Sequence, residues 1–239
     1  MYLSGRVPVP ALDSLTLAKR FWFRTRYISA LAIRPSRLHP HVLQLHLGPS
    51  AVASFISSCT ELLPGYLRAC VRGALPEWFL PSQVVLKQEK QGEEKVIMEE
   101  LFDTEVRAYR HLKPLQGIVI PTFYGSFRYN GTPALLLEYI GGTPMSMPEA
   151  ATMSLEELSD LLQPCYRAIH ALGVHHDDPN LSNFHLVDGR VMVLDLESAD
   201  FTFSVNQRAL YLKACVQHLA SMYLKMQVFY RHEGALEAA

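Results

Sequence analysis

HHDDPNLSNFHLVDGRVMVLDLE, residues 175–197, carries an irregular polar run into a hairpin. Asp188-Gly189 is the strongest short-range signal for a two-residue turn, because both central positions need positive φ. Pairing Val187 with Arg190 across that turn places Asn183 opposite Leu194, one residue short of Asp195. Two oxygen-bearing side chains therefore meet at the open end. A hard divalent cation such as Mg2+ takes one or two carboxylate or amide oxygens from a protein and fills its other positions with water and phosphate. Asn183 and Asp195 are thus candidate metal ligands. Asp178, in the Pro-containing loop before the hairpin, can orient a hydroxyl and accept its proton.

Working outward toward the N-terminus, Ser154-Leu155-Glu156-Glu157 is a capping box that opens a helix reaching about Leu172. Leu158, Leu161, Leu162, Cys165 and Ile169 form its apolar stripe, Gly173 stops it, and Tyr166 and His170 read as packing and surface residues. This helix delivers the chain into residues 175–183. Before it, Asn130-Gly131 joins the runs 123–129 and 133–140 as a second hairpin, with Leu135-Leu136-Leu137 apolar enough to be buried. Gly141-Gly142 then gives the backbone freedom to turn.

Further back, Gln83-Val84-Val85-Leu86-Lys87 reads as a strand, and the charged run from Gln88 to Lys95 as a solvated loop. The span 99–112 has helical periodicity, with Phe102, Val106, Tyr109 and Leu112 on one stripe and Glu105 on or beside it. A carboxylate buried alone costs several kcal/mol, roughly, or neutralises. A lysine from the adjacent strand is its natural partner. Upstream, residues 41–47 alternate as a strand, and Ser50 caps an apolar helix from Ala51 to Ile56. The span from Ser14 to about Arg26 is expected to be a helix that packs Phe21, Trp22 and Phe23.

Charge is unevenly spread. Residues 1–40 hold seven Lys or Arg against Asp13 alone, while the rest of the chain has 15 basic and 22 acidic residues. An Arg-rich, acid-poor start fits the solvated side of a helix, a patch for a phosphate-bearing partner, or a mitochondrial transit peptide. The whole chain of 239 residues is nearly neutral and 49% hydrophobic, enough for one large domain or two small lobes. No apolar run approaches the roughly 20 residues of a membrane span. Cys59, Cys70, Cys165 and Cys215 form no Cys-x-x-Cys pair and read as small buried hydrophobes in a reducing compartment, with a cytoplasmic location expected. From Val205 to about Tyr230 one long helix is expected, apolar over most of its surface and so mostly buried or laid over a groove.

His176-Asp177-Asp178-Pro179-Asn180-Leu181-Ser182-Asn183, followed by Asp195-Leu196-Glu197, resembles the catalytic and metal-binding loops of the protein-kinase-like superfamily. Asn180 stands where protein kinases carry Lys, and Glu197 where Asp-Phe-Gly has Gly. Both departures look more like small-molecule and atypical kinases, and the stretch as a whole resembles the small, atypical kinase-like proteins of fungi. The resemblance covers roughly residues 83–200. It implies an α+β, two-lobe protein-kinase-like fold: a basic extension at 1–40, an N-lobe at 41–140 with an antiparallel sheet and one inward-facing helix, and a reduced, mainly helical C-lobe at 141–239.

It also implies ATP and Mg as cofactors. Lys87 would meet the α- and β-phosphates and be oriented by Glu105, while backbone groups from Glu138 to Ile140 would meet the adenine. Asn183 and Asp195 would hold Mg, and Asp178 would deprotonate the acceptor hydroxyl of an unidentified small molecule or protein. Nothing in it points to nucleic acid. The chain contains no G-x-G-x-x-G, the loop through which kinases bring backbone N–H groups to the phosphates, and no Ala-Pro-Glu anchor. These departures favour a second reading, a pseudokinase that binds nucleotide or a protein partner without turnover, while retention of Lys87, Glu105, Asp178, Asn183 and Asp195 disfavours it.

Overall fold

The protein is described from a computed structural model, covering residues 17–36, 39–92, 94–202 and 204–236. Of the basic start at residues 1–40, residues 1–16, Arg37 and Leu38 lie outside the described residues. The chain is of the α+β class and divides into two units, Met1–Lys87 and Gln88–Ala239.

In the first unit, β1 (Leu17–Phe23) and β2 (Arg26–Ile33) pair antiparallel across a tight turn at Arg24-Thr25. β3 (Val42–Leu47) pairs with β2, and β4 (Gln83–Gln88) pairs with β3, placing Lys87 opposite Val42. The helix expected over 14–26 does not form: its described part is β1 and the turn, while residues 14–16 lie outside the described residues. The reason is periodicity. Phe21 and Phe23 alternate with exposed Trp22, and across the ladder Ile28, Ala30 and Ala32 alternate with exposed Tyr27 and Leu31. Adjacent aromatics sent to opposite faces satisfy a strand, whereas a helical stripe cannot take all three.

That turn is tied down by a buried acid. Glu77 accepts from the Thr25 hydroxyl at 2.7 Å, its backbone carbonyl accepts from Arg26 at 2.9 Å, and Trp78 Nε1 donates to Thr25 at 3.0 Å. Between β3 and β4 stand α1 (Ala51–Glu61) and α2 (Gly65–Ala74), and the expected Ser50 cap is present, its hydroxyl accepting from Ala53 N–H. Cys59 and Cys70, on these helices, are exposed rather than buried, because neither helix seals its cysteine-bearing face.

The second unit opens with α3 (Lys95–His111), which buries Glu105, Val106, Ala108 and Tyr109. The loop before it is not simply solvated: Glu89 is buried, with its N–H on the Pro133 carbonyl at 2.8 Å. β5 (Phe123–Tyr129) and β6 (Thr132–Glu138) form the expected Asn130-Gly131 hairpin, both turn residues having positive φ. Tyr109 stacks on Phe123 with ring centroids 5.5 Å apart, and Gln116 bridges the Tyr109 carbonyl to the Phe123 N–H. These contacts fix the C-terminal half of α3, and with it Glu105, against the hairpin.

β7 (Thr143–Pro144) leads to α4 (Leu155–Ala171), whose N-terminus carries the capping box in full. β8 (His175–His176), β9 (Phe184–Val187), β10 (Arg190–Val193) and β11 (Ala199–Asp200) follow, making a three-stranded β10-β9-β7 sheet and a β11-β8 pair. Gly142 is required here. At φ 73°, a Cβ on it would stand 2.4 Å from the Leu186 carbonyl oxygen, so only glycine lets β7 close on β9.

α5 (Arg208–His232) buries only a stripe of Cys215, Val216, Leu219 and Tyr223, while Leu210, Leu224, Val228 and Phe229 are exposed. The expectation of a mostly buried helix therefore holds for one face alone. Its polar side chains bind the loop before α4: Tyr223 donates to the Ala150 carbonyl at 2.7 Å, and Gln227 donates to those of Ala151 and Met153. A loop with unpaired carbonyls needs such donors to be covered. No helix among the described residues is long and apolar enough to cross a membrane.

Candidate active site in the second unit

The β9-β10 hairpin has the register that Asp188-Gly189 dictates. Val187 faces Arg190 and Phe184 faces Val193, and the Leu194 N–H reaches the Asn183 carbonyl at 2.8 Å. Asp195 follows at once, with a φ of 55°. A non-glycine residue in the left-handed region costs about 1 kcal/mol and persists where its surroundings hold it. Here the holder is His176, whose Nε2 lies 3.2 Å from the Leu194 carbonyl oxygen and 3.1 Å from that of Asp195. His176 is buried, and burial lowers its pKa below the ordinary histidine range, partly offset by the two carbonyls and by Asp178 and Asp195. The neutral ring with its proton on Nε2 is the tautomer that can donate to them.

Asp178 and Asn183 are joined directly. The Asn183 amide nitrogen donates to Asp178 Oδ2 at 2.8 Å, which turns the amide oxygen the other way as a possible ligand. The loop between them is set by Asn180, which accepts from the N–H and hydroxyl of Ser182, so that a 3-10 turn over Leu181–Asn183 forms. Asn180 thus shapes the loop from the position where a lysine was the expected residue of the resembled motif.

On the other side of Asp195, carboxylate oxygens of Glu105, Asp195 and Glu197 all lie within 4.8 Å of one another. Three such groups repel strongly unless protons or cations neutralise them. One cation is on the chain itself: Lys90 Nζ lies 2.5 Å from Glu197 Oε1. Hard oxygen donors of this kind suit a divalent ion, so the group can hold one. Glu105 is only 2% exposed, and its carboxylate stands beside that of Asp195. Its sequence pattern suggested a partner for lysine but not this second neighbour.

Lys87 belongs to the first unit, where it is buried on β4. Glu138 commits its carboxylate to Thr122, accepting from the N–H at 2.9 Å and the hydroxyl at 2.7 Å, and its own N–H to the Thr122 carbonyl. Ile140 is half-buried just before Gly141 and Gly142. What this stretch can offer a ligand is therefore backbone and apolar surface, not the Glu138 charge.

Three polar residues and their contacts escaped the sequence reading. Glu197 registered only as a departure from a motif, and Lys90 only as part of a charged run. His170, expected on a surface, is buried on α4 with Nε2 3.0 Å from His175 Nδ1. Burial, the neighbouring His175 and Arg208 push its pKa down to about 4. The sequence signal for it was present: His170 stands one residue after Ile169 of the apolar stripe and four after buried Tyr166. In comparisons with known proteins, no family model matches the chain and no curated protein matches it.

Proposed function

We propose that the chain is an ATP-dependent phosphotransferase of the kinase-like type, acting on a hydroxyl-bearing acceptor. The observation that carries this reading is the state of Asp195: a left-handed carboxylate, pinned by a buried histidine, one residue beyond the hairpin position opposite Asn183. Asp178, bonded to that same Asn183, supports the role of acceptor base. Strain of this kind is retained where a ligand needs the side chain to be aimed.

In this reading Asn183 and Asp195 would hold Mg, whose positive charge would offset that of the phosphates. Lys87 is the residue this reading assigns to the α- and β-phosphates, and Glu105 joins the carboxylate group beside Asp195. Backbone groups of Glu138 and Ile140 receive the adenine. Asp178 aligns the acceptor hydroxyl and takes its proton as the phosphoryl group moves. The acceptor is a small molecule or a protein side chain.

Calorimetric titration of ATP with and without Mg, on wild type, Lys87→Ala and Asp195→Ala, tests the site. Mg-dependent binding that both variants lose is the expected result. No ATP binding under either condition would sink the proposal. For the base, Asp178→Asn should lower kcat by about 100-fold or more while leaving ATP affinity within a few-fold. Equal turnover would remove Asp178 from the chemistry. The pseudokinase reading draws on the third carboxylate, Glu197, which adds negative charge beside Asp195 where polyphosphate would sit. Tight Mg-dependent ATP binding with no transfer to any acceptor, and none to water, would favour it.

A further inference from the structure

We infer that Lys90 is a phosphate-contacting residue of this site, held in place by Glu197 and supplying a grip that the missing glycine-rich loop does not. The inference rests on the nucleotide-binding reading above and deepens it. A triphosphate needs more than one cationic or N–H contact along its length, and a chain without G-x-G-x-x-G must find such contacts in side chains.

Lys90 meets the requirement on three counts. Its ammonium lies 2.5 Å from Glu197 Oε1, and Glu197 is two residues past Asp195, with carboxylate oxygens of the two within 4.8 Å. The charge is therefore delivered beside the candidate metal ligand by a contact spanning 107 residues of sequence. The backbone under it is fixed, since Glu89 is buried and its N–H is bonded to Pro133. The Lys90 side chain nonetheless keeps 33% of its surface exposed, so a ligand can reach it.

An ammonium has three donors, and Glu197 needs one of them. Two N–H groups remain to meet phosphate oxygens without breaking the pair. The same geometry gives Glu197 a role: it cancels part of the charge that would otherwise drive Lys90 away from a fixed position, and it acts as a positioning residue. A glycine in its place, as in the resembled motif, would leave Lys90 on a flexible stem with nothing to aim it.

The full chain is titrated by calorimetry with ATP and separately with adenosine, both in Mg, for wild type, Lys90→Met, Lys90→Arg and Glu197→Gln. Lys90→Met should weaken ATP at least 10-fold and leave adenosine within twofold of wild type. Lys90→Arg should retain most of the ATP affinity, and Glu197→Gln, which removes the charge that holds Lys90 in place, should weaken ATP less than Lys90→Met does and leave adenosine within twofold. ATP affinity unchanged in Lys90→Met overturns the inference, as does an equal loss for adenosine, which marks a purely structural role. If Lys90→Met does not fold, Lys90→Gln reads the same step. Wild type that binds ATP no better than adenosine also overturns it. Wild type that binds neither sinks the kinase-like reading itself, and this inference with it.

Discussion

Asp195 combines a backbone and a side-chain demand in one residue, and substitutions can separate the two. Asp195→Ala and Asp195→Gly both delete the carboxylate, but only alanine must keep a Cβ at a φ of 55°. The glycine variant should therefore be more stable than the alanine variant by about 1 kcal/mol in urea denaturation, with nucleotide binding lost in both. His176→Ala tests the other half of the arrangement. It removes the donor to the Leu194 and Asp195 carbonyls, so Mg-dependent ATP affinity should fall about tenfold or more, as for a residue one shell out from a metal ligand. At this scale the sequence was informative about placement: the Asp188-Gly189 turn set Asn183 opposite Leu194, with Asp195 next in line. The Lys90 contact was not legible, because an ion pair between residues 107 apart leaves no local pattern.

Elements were legible where one period and one turn signal agreed. The β9-β10 register followed from Asp188-Gly189, the α4 start from Ser154 and Glu157, and the α3 stripe from Phe102, Val106 and Tyr109. The failure at β1 has a physical cause: Lys19, Arg20, Arg24 and Arg26 are good helix formers, but alternate burial of Phe21, Phe23, Ile28 and Ala30 in a sheet outweighs propensity. At β7 the decisive fact is absence of a side chain. Gly142→Ala would put a Cβ 2.4 Å from the Leu186 carbonyl oxygen and 2.7 Å from Val187 Cγ2 in a left-handed residue. The variant should lose about 2 kcal/mol or more, read as an earlier urea midpoint at unchanged slope. Because β7 pairs with β9, the same change should also loosen the strand that follows Asn183.

For the molecule as a whole, buried imidazoles set the response to acid. His170, with its pKa near 4, is joined by His175 and His176, which burial also lowers. Unfolded histidines bind protons from about pH 6.5 downward, while these stay neutral in the fold, so the unfolded state takes up more protons and gains on the native one. Stability should be level above about pH 6.5 and fall toward pH 4, and His170→Phe should flatten that fall in melting curves taken across the window. The pairing of His170 with His175 adds to this, since one proton serves the 3.0 Å contact and a second would set two N–H donors face to face. How the hairpin is measured out also bears on how this protein can change over generations. Val191, Met192 and Val193 are interchangeable with other apolar residues of similar bulk, but the two strands between Asn183 and Asp195 must stay matched in length. One inserted or deleted residue in either strand turns every following side chain to the opposite face. Among descendants of this chain, drift in the identity of those strand residues is compatible with the pairing of Asn183 and Leu194, while an unmatched change in the length of one strand would break it.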